Sequence, residues 1–381
     1  VFDSVGQKYG KFLGFAASDH DISGNTIIIP DVIGANYLEL KESNLKKDDG
    51  LYGDPSDPYG PYASASASSS KYKSSNFSVF GNLDYLLSAS LKFSIGLRWE
   101  DWEADYSDSL QESFNPTDKM SGGKISLIKN MTNDTNMYAS LAKGYKQGGF
   151  NLGLGLDANA TNKNLAYDPE FLTNYELGIN TKLLDSKITF NGVLFYSDRE
   201  DQQVLISTQT DPSDPNTFSF LTQNAAEGVN HGLEINMDMG INQSLSAFVN
   251  LGILKTEIKN WQSRQDLDGR AQAHAPERSY ALGLNWAPTS HTYLAIDFTG
   301  KSSFYYSDSH NNKSKSYVLT NLNLGYVKNN WNYELWARNI FDEYYSVRGF
   351  YFGNEAPNFI DTLYERHGDP RHIGVSIRYD F

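Results

Sequence analysis

Apolar and polar residues alternate with a period of two along several stretches of this 381-residue chain. Two stretches show the alternation over ten or more positions, 91–100 and 371–381. Their apolar positions are Leu91, Phe93, Ile95, Leu97 and Trp99, and then Ile373, Val375, Ile377, Tyr379 and Phe381. Side chains on a β-strand point alternately to its two faces. The pattern therefore predicts strands with one apolar face and one polar face.

The same alternation predicts about 14 strands along the whole chain. They are residues 7–17, 78–86, 91–100, 122–130, 136–145, 173–183, 187–198, 232–239, 244–257, 279–286, 291–299, 320–327, 331–340 and 371–381. About six tight turns alternate with about seven long connections, as in a barrel with short turns on one side of a membrane and long loops on the other. We therefore predict an all-β, transmembrane antiparallel β-barrel, with residues 18–75 as a long extracellular loop. A soluble sandwich is the alternative, although its loops have no reason to alternate in length.

Composition narrows the classes of function. The chain has no cysteine, which excludes disulfides and cysteine nucleophiles. Its net charge of −14 argues against general nucleic-acid binding, which needs a basic surface. No apolar run reaches the roughly 18 residues of a spanning helix. Strands that alternate can nevertheless cross a membrane with a low mean hydropathy.

Four short motifs in order resemble the C-terminal barrel portion of TonB-dependent outer-membrane transporters. The first combines Gly144-Tyr145 with Gly148-Gly149-Phe150-Asn151. The others are Tyr175-Glu176-Leu177-Gly178 with Phe195-Tyr196-Ser197-Asp198, then Asn339-Ile340-Phe341-Asp342-Glu343-Tyr344-Tyr345, and then Gly368-Asp369-Pro370-Arg371 before the terminal Phe381. Each motif alone is weak, but their order along the chain is specific.

The resemblance implies a 22-stranded barrel with a plug domain inside it. About 14 strands are found here, and neither a plug nor an energy-coupling segment is visible. Residues 1–381 are therefore expected to be the C-terminal portion of a longer protein, without the plug and the first strands. A TonB-type protein would act through the missing N-terminal region. The alternative is a complete, passive 14-stranded channel.

The sequence shows no catalytic motif, so an enzyme is not expected. His20, between Asp19 and Asp21, is more easily explained as a hydrated loop than as a metal ligand. The sequence Asp-Pro-Ser-Asp-Pro occurs at residues 54–58 and again at 211–215. It favours turns, and its carboxylates leave loop Ca²⁺ as a minor possibility. We expect no resident cofactor, because a ferric chelate would be cargo.

Charged residues on the polar faces of the strands should line the barrel interior. They are Lys92, Arg98, Glu100, Glu234, Asp238, Asp297, Glu334, Arg338 and Arg378. Their expected role is a wetted wall that hydrogen-bonds to whatever fills the lumen. The opposite face should contact outer-membrane lipid and lipopolysaccharide.

Ligand recognition is expected in the long loops and the adjoining strand ends. Candidate contact residues combine aromatic stacking area with basic groups for an anionic chelate. They are Tyr145, Lys146, Phe150, Asn151, Trp261, Arg264, Arg270, Tyr305, Tyr306, Arg348, Phe350, Tyr351 and Phe352. As the resemblance implies, the cargo would be a ferric siderophore or similar scarce nutrient, imported across the bacterial outer membrane. A secreted β-rich adhesion protein and an outer-membrane hydrolase are further alternatives.

Overall fold

The alternating stretches form β-strands in the computed structural model. The structure describes residues 7–8, 21–22, 25–26, 68–108, 113–151, 166–209, 218–261, 264–308, 310–352, 360 and 362–381. The strands before residue 151 are β1 Gln7–Lys8, β2 Asp21–Ile22, β3 Asn25–Thr26, β4 Ser68–Ser88, β5 Leu91–Asp108, β6 Ser113–Phe114, β7 Thr117–Asn130, β8 Thr135–Lys146 and β9 Gly149–Phe150. Those after it are β10 Ala166–Tyr167, β11 Glu170–Leu183, β12 Ile188–Gln209, β13 Phe218–Asn242, β14 Leu245–Lys259, β15 Arg278–Trp286, β16 Thr292–Lys301, β17 Tyr317–Lys328, β18 Trp331–Arg338, β19 Ser346–Phe352, β20 Thr362–His367 and β21 His372–Tyr379. A short 3-10 helix occupies Gln265–Leu267.

One 15-stranded sheet contains nearly all of the long strands. Its order is β1-β4-β5-β7-β8-β11-β12-β13-β14-β15-β16-β17-β18-β21, with β6 paired to β5. Each strand thus pairs with its neighbours in sequence, apart from three separate two-stranded ribbons, β2–β3, β9–β10 and β19–β20. The tight turns are 89–90, 131–134, 184–187, 243–244, 287–291 and 329–330. All six predicted turns are confirmed.

The apolar face of this sheet is exposed. Leu97 is 62% exposed, and Ile373, Val375 and Ile377 are each more than 60% exposed. A sandwich would bury these side chains between two layers, so that alternative is wrong. An exposed apolar face suits hydrocarbon rather than water.

Aromatic side chains mark the ends of this apolar face. The Trp331 ring lies 4.8 Å from the Tyr379 ring, and Tyr379 lies 5.1 Å from Phe381. These residues stand beside the tight turn at 329–330, and Trp286 stands beside the turn at 287–291. Aromatic residues thus line the tight-turn side of the apolar face, as in the interfacial girdles of membrane barrels.

Several strands extend beyond their predicted ends. Residues 199–231 were expected to form a loop of about 30 residues, but most of them belong to β12 and β13, which pair up to Gln209 and Phe218. Likewise β4 begins at Ser68, within the segment predicted as a loop up to residue 75. Apolar and polar residues alternate only along the part of a strand that has one face in an apolar environment. Backbone pairing continues beyond that part, where the alternation is not maintained.

On the face turned away from the exposed apolar residues, five strand pairs of the large sheet share a ring-on-glycine contact. In each pair an aromatic residue on one strand lies directly opposite a glycine on the next, and its ring covers the glycine Cα, so that a Cβ there would overlap the ring. The pairs are Tyr138–Gly178, Phe195–Gly232, Phe248–Gly283, Tyr293–Gly325 and Trp336–Gly374. We call these five contacts the ring–glycine seams. On the opposite face, Tyr280 covers Gly300 within the β15–β16 hairpin.

The seams have a regular position in the topology. They join β8 to β11, β12 to β13, β14 to β15, β16 to β17 and β18 to β21, the strand pairs linked by the longer connections. A tight turn fixes the register of its own hairpin. A long connection cannot do so, and cross-strand packing must then supply the register. The seams provide that packing.

The chain divides into two compact units. The first comprises Val1–Phe77, Asp101–Asp118 and Leu152–Ala160. Within it Trp102 and Tyr106 are buried, and Tyr106 stacks on Phe114 at 6.0 Å. The second comprises Ser78–Glu100, Lys119–Asn151 and Thr161–Phe381, and it contains all the candidate ligand-binding residues.

In the part of the chain that the structure describes, no helix has the length and apolar character needed to cross a membrane.

Candidate functional site

Three of the long connections touch one another and gather most of the predicted contact residues. They are residues 260–277, residues 302–316 and the β19–β20 hairpin, which together we call the loop cluster. The His274 backbone N–H donates to the Tyr305 carbonyl at 2.8 Å, joining the first two. The Tyr306 hydroxyl donates to Glu365, joining the second to the hairpin. A surface assembled from distant parts of the chain is typical of a recognition site.

Arg270 is the hub of the loop cluster. Its side chain is 8% exposed and forms an ion pair with Asp308 at 2.9 Å. Its guanidinium also donates to the carbonyls of Ser307 (3.1 Å) and His310 (2.9 Å) and to Asn311 Oδ1 (2.9 Å). Four partners on the 302–316 connection thus converge on one planar group. Such a multidentate arrangement orders the connection.

Two cations contact the ring of Tyr305. The Arg270 Cζ atom stands 4.4 Å from the Tyr305 ring centroid, and the Lys313 ammonium stands 4.1 Å from it. The electron-rich face of a phenol ring attracts cations. Tyr305 therefore holds positive charge at this surface, and it is itself half-buried.

Tyr306 belongs to the packed interior of the cluster. It is 2% exposed and lies among Phe304 and Tyr317. Burial, together with the hydrogen bond to Glu365, raises the Tyr306 pKa to about 12. The backbone of Gly349 lies against the Tyr306 ring, leaving no room for a side chain at that position. Tyr306 therefore fixes the hairpin rather than offering a free surface.

Trp261 and Arg264 differ in exposure. Trp261 is 1% exposed and packs with Val204, Ile258 and Leu267. Arg264 forms an ion pair with the exposed Asp266 at 2.9 Å. The hydrogen bond from Arg264 is the main reason that the Asp266 pKa is lowered. Trp261 thus supports the connection from inside, and Arg264 lies at its surface.

The hairpin presents Arg348 and Phe350 on one face and Tyr351 on the other. Arg348 is exposed, and Phe350 is 38% exposed. The Tyr351 ring lies 5.0 Å from the His310 ring, towards the rest of the cluster. The side chain of Phe352 lies outside the described part of the chain. Sequence reasoning missed Tyr364 and Arg366, which lie directly opposite Phe350 and Arg348.

Two histidines that sequence reasoning also missed lie within the loop cluster. Burial lowers the pKa of His274, and nearby Arg348 lowers it further. Burial also lowers the pKa of His310, to which Arg270 adds a smaller effect. Both imidazoles therefore have a lowered pKa, and in each case an arginine from another connection contributes. The sequence alone could not show these pKa effects. Arg348 and Arg270 lie on other connections than the histidines they act on.

We expect acidification to loosen the loop cluster. Where a folded-state histidine pKa is lowered, the unfolded state binds the proton first, so stability is full above the unfolded value of about 6.5 and falls below it. The protection factors for amide hydrogen exchange of residues 310–316, which correct for the slower intrinsic exchange at low pH, should therefore be smaller at pH 5.5 than at pH 7.5, and His310→Gln should reduce that difference. The control is His291→Gln in the tight turn between β15 and β16. Equal protection factors at the two pH values would contradict the expectation.

The remaining candidates lie on β8 and just after it. The Tyr145 hydroxyl donates to Glu100 Oε2 at 2.9 Å and accepts from Arg98 Nε at 3.0 Å. Asn151 is held by two hydrogen bonds with the Thr222 backbone, at 2.8 and 2.7 Å. Lys146 is exposed. Tyr145 is therefore part of the polar wall, as predicted for Arg98 and Glu100.

Phe150 belongs to the β9–β10 ribbon and is half-buried. That ribbon pairs it with Ala166. The ribbon is a two-stranded sheet of its own, separate from the β19–β20 hairpin. The structure thus divides the predicted contact residues into two groups, one in the loop cluster and one on or just after β8.

The Asn339 motif has a structural explanation. Asn339 is 4% exposed and adopts a positive φ of 48°. Its side chain donates to the carbonyls of Glu343 (2.9 Å) and Asp369 (3.1 Å), and it accepts the Glu343 N–H at 2.8 Å. Asp342 in turn accepts the Arg371 N–H at 2.8 Å. The motif therefore closes the base of the last long connection.

Among the described residues, no group of three or more His, Asp or Glu side chains could hold a metal ion. The predicted calcium positions at 54–58 and 211–215, and His20, lie outside the described residues. So does most of the segment 18–75.

The chain matches a known protein family. The family described as TonB dependent receptor-like, beta-barrel matches residues 4–340. The pesticin receptor of Yersinia pestis is 23% identical over 267 residues, which cover 68% of this chain and 36% of that protein. These relatives are receptors rather than enzymes, in agreement with the prediction from the sequence.

Solved structures show the same fold. The ferric yersiniabactin uptake receptor FyuA from Yersinia pestis matches with a TM-score of 0.68 and 18% identity, over 87% of this chain and 48% of that one. The siderophore receptor PiuA from Acinetobacter baumannii matches with a TM-score of 0.63 and 16% identity, over 82% and 44%. The chain thus spans between about a third and a half of the proteins it resembles. The predicted barrel fold is confirmed.

Proposed function

The chain belongs to the TonB-dependent receptor β-barrel family, and from that membership we propose that the protein actively imports a ferric siderophore or a similar scarce nutrient. The observation that carries the proposal is the family match along residues 4–340. Members of the family lie in the bacterial outer membrane, and the exposed apolar face of this sheet is suited to that place.

The loop cluster supports the choice of cargo. Its accessible cations and rings, Lys313, Arg348, Tyr305 and Phe350, offer charge-assisted hydrogen bonds and stacking area. These are the interactions that an anionic chelate with planar groups can use. Ligand contact by Tyr145, Lys146, Phe150, Asn151, Arg264 and Tyr351 remains part of this proposal, whereas Trp261 and Tyr306 are buried inside the loop cluster and support it.

The proposed mechanism has two stages. The loop cluster first captures the chelate outside the cell. A TonB-type partner then transmits energy to a plug domain. The relatives are longer than this chain, and their additional length leaves room for such a domain. Outer-membrane lipid and lipopolysaccharide would cover the exposed apolar strands. The alternative of a passive channel draws no support from the family match.

Disruption of the gene should test this function in the native host. We expect the disrupted strain to lose growth on at least one ferric siderophore as sole iron source, with growth and uptake of radioactive iron restored by the intact gene. Uptake should also stop when a protonophore collapses the inner-membrane gradient. Wild-type uptake of every ferric chelate in the disrupted strain would contradict the proposal. Uptake that survives the protonophore would favour a passive channel.

A further inference from the structure

The β19–β20 hairpin has two chemically different faces. One face packs on the rest of the loop cluster: Gly349 lies against Tyr306, and Tyr351 lies beside His310. On the same face Leu363 packs against the cluster of Phe304 and Tyr306. Since side chains alternate along a strand, the residues between these belong to the opposite, outer face.

The outer face carries an arginine pair. Arg348 and Arg366 lie directly opposite each other in the antiparallel register. Like charges at such a position destabilise a strand pair. Both side chains belong to exposed residues. Within the residues that the structure describes, neither guanidinium has a hydrogen bond or an ion pair with a carboxylate. The acidic residue of β20, Glu365, lies on the inner face. Its carboxylate accepts a hydrogen bond from the Tyr306 hydroxyl.

Two aromatic rings adjoin the arginine pair. Phe350 lies directly opposite Tyr364, next along the same face. Their rings stack at a centroid distance of 6.1 Å, with 20° between their planes. The outer face therefore combines two guanidinium groups with two rings stacked on each other, which we call the Phe350–Tyr364 platform. The backbone pairing of β19 with β20 places these four side chains side by side, and the inner face anchors the hairpin.

We propose that this outer face is a capture subsite for an anionic small molecule that carries planar aromatic groups. The guanidinium groups would bind its acidic oxygens, and the Phe350–Tyr364 platform would stack with its rings. An anion placed between the arginines removes their mutual repulsion, which explains why the pair is tolerated. This inference rests on the proposed import function, and it specifies the charge and shape of the cargo.

Binding to the purified full-length protein in detergent tests the subsite. The probe is the iron(III) complex of 2,3-dihydroxybenzoate, which is anionic and aromatic. Ferrioxamine B, which is neither, is the reference chelate. We expect the wild type to bind the first chelate more tightly, and Arg348→Gln/Arg366→Gln to weaken that binding at least tenfold, or about 1.4 kcal/mol. Lys315→Gln, an exposed cation of the neighbouring connection, is the matched control and should change binding less than twofold.

The variant Arg366→Glu separates binding from folding. It replaces the like-charge pair by an opposite-charge pair, so the hairpin should be at least as well protected from hydrogen exchange. It should nevertheless lose binding as the double variant does. Unchanged affinity in both variants, or no preference of the wild type for the aromatic anion, would overturn the proposal. Competition by lipopolysaccharide without chelate binding would also overturn it, and would assign the face to lipid phosphate.

The two proposals fail separately. Chelate binding without uptake by cells would support the subsite and contradict the import function. Uptake by cells with binding that is insensitive to both arginine variants would support import and overturn the subsite.

Discussion

Gly325→Ala is expected to destabilise the pairing of β16 with β17. The Tyr293 ring covers the Gly325 Cα, and a methyl group there would overlap it. Overpacking of this kind costs up to about 3 kcal/mol when the neighbours cannot move, and Tyr293 lies within a paired strand. We therefore expect a large loss of folded, heat-modifiable protein in the outer membrane, measured by gel migration of unheated samples.

Two variants make this expectation specific. Gly144→Ala on β8 is the matched control, because a Cβ there would meet no atom within 4 Å. Gly325→Ala combined with Tyr293→Ala should recover part of the folded protein, since the second change removes the ring. If Gly325→Ala folds as well as Gly144→Ala, the ring–glycine seams do not set the register.

Arg270→Met should release the 302–316 connection from the rest of the loop cluster. The change removes the ion pair with Asp308 and the bonds to Ser307, His310 and Asn311. It also leaves the Asp308 carboxylate, which is 18% exposed, without its partner. Breaking a buried pair costs about 3 kcal/mol or more. Hydrogen exchange of residues 302–308 should rise by about two orders of magnitude, and chelate binding should fall with it.

Arg264→Met is the control for that change. Arg264 also pairs with an aspartate, but Asp266 is 57% exposed. Exposed ion pairs contribute little to stability, because water and salt screen them. Hydrogen exchange in this variant should therefore stay within about fivefold of the wild type. Equal effects of the two substitutions would mean that Arg270 is an ordinary surface cation.

Much of the fold could be predicted because a strand between water and hydrocarbon must alternate. Leu97 and Trp99 point outwards, as the sequence indicates, and all six tight turns lie at their predicted places. The strand ends could not be predicted in this way. Residues 202–209 of β12 pair with β13 although their apolar residues, Val204, Leu205 and Ile206, form a run instead of alternating. Hydrogen bonds between backbones hold those residues, and the sequence pattern carries no trace of them.

The candidate site was predicted by residue type and only partly by role. Exposure of Arg348 and Phe350 agrees with a contact role, whereas Trp261 and Tyr306 lie inside the loop cluster. An aromatic loop residue can pack or bind, and sequence alone does not distinguish these uses. Arg366 and His310 were missed because their contribution to the site depends on their spatial neighbours Arg348 and Arg270. These neighbours are distant in the sequence. Only the register of β19 with β20 brings the two arginines together.

The positions of the ring–glycine seams also bear on how such chains change over evolutionary time. Every tight-turn hairpin from β11–β12 to β17–β18 carries a glycine on the strand that enters it and a ring on the strand that leaves it. Each hairpin thus has the same two complementary edges. Duplication or deletion of one whole hairpin would preserve the fit at the new junction. A repertoire of pores with different numbers of strands can arise from such modular steps.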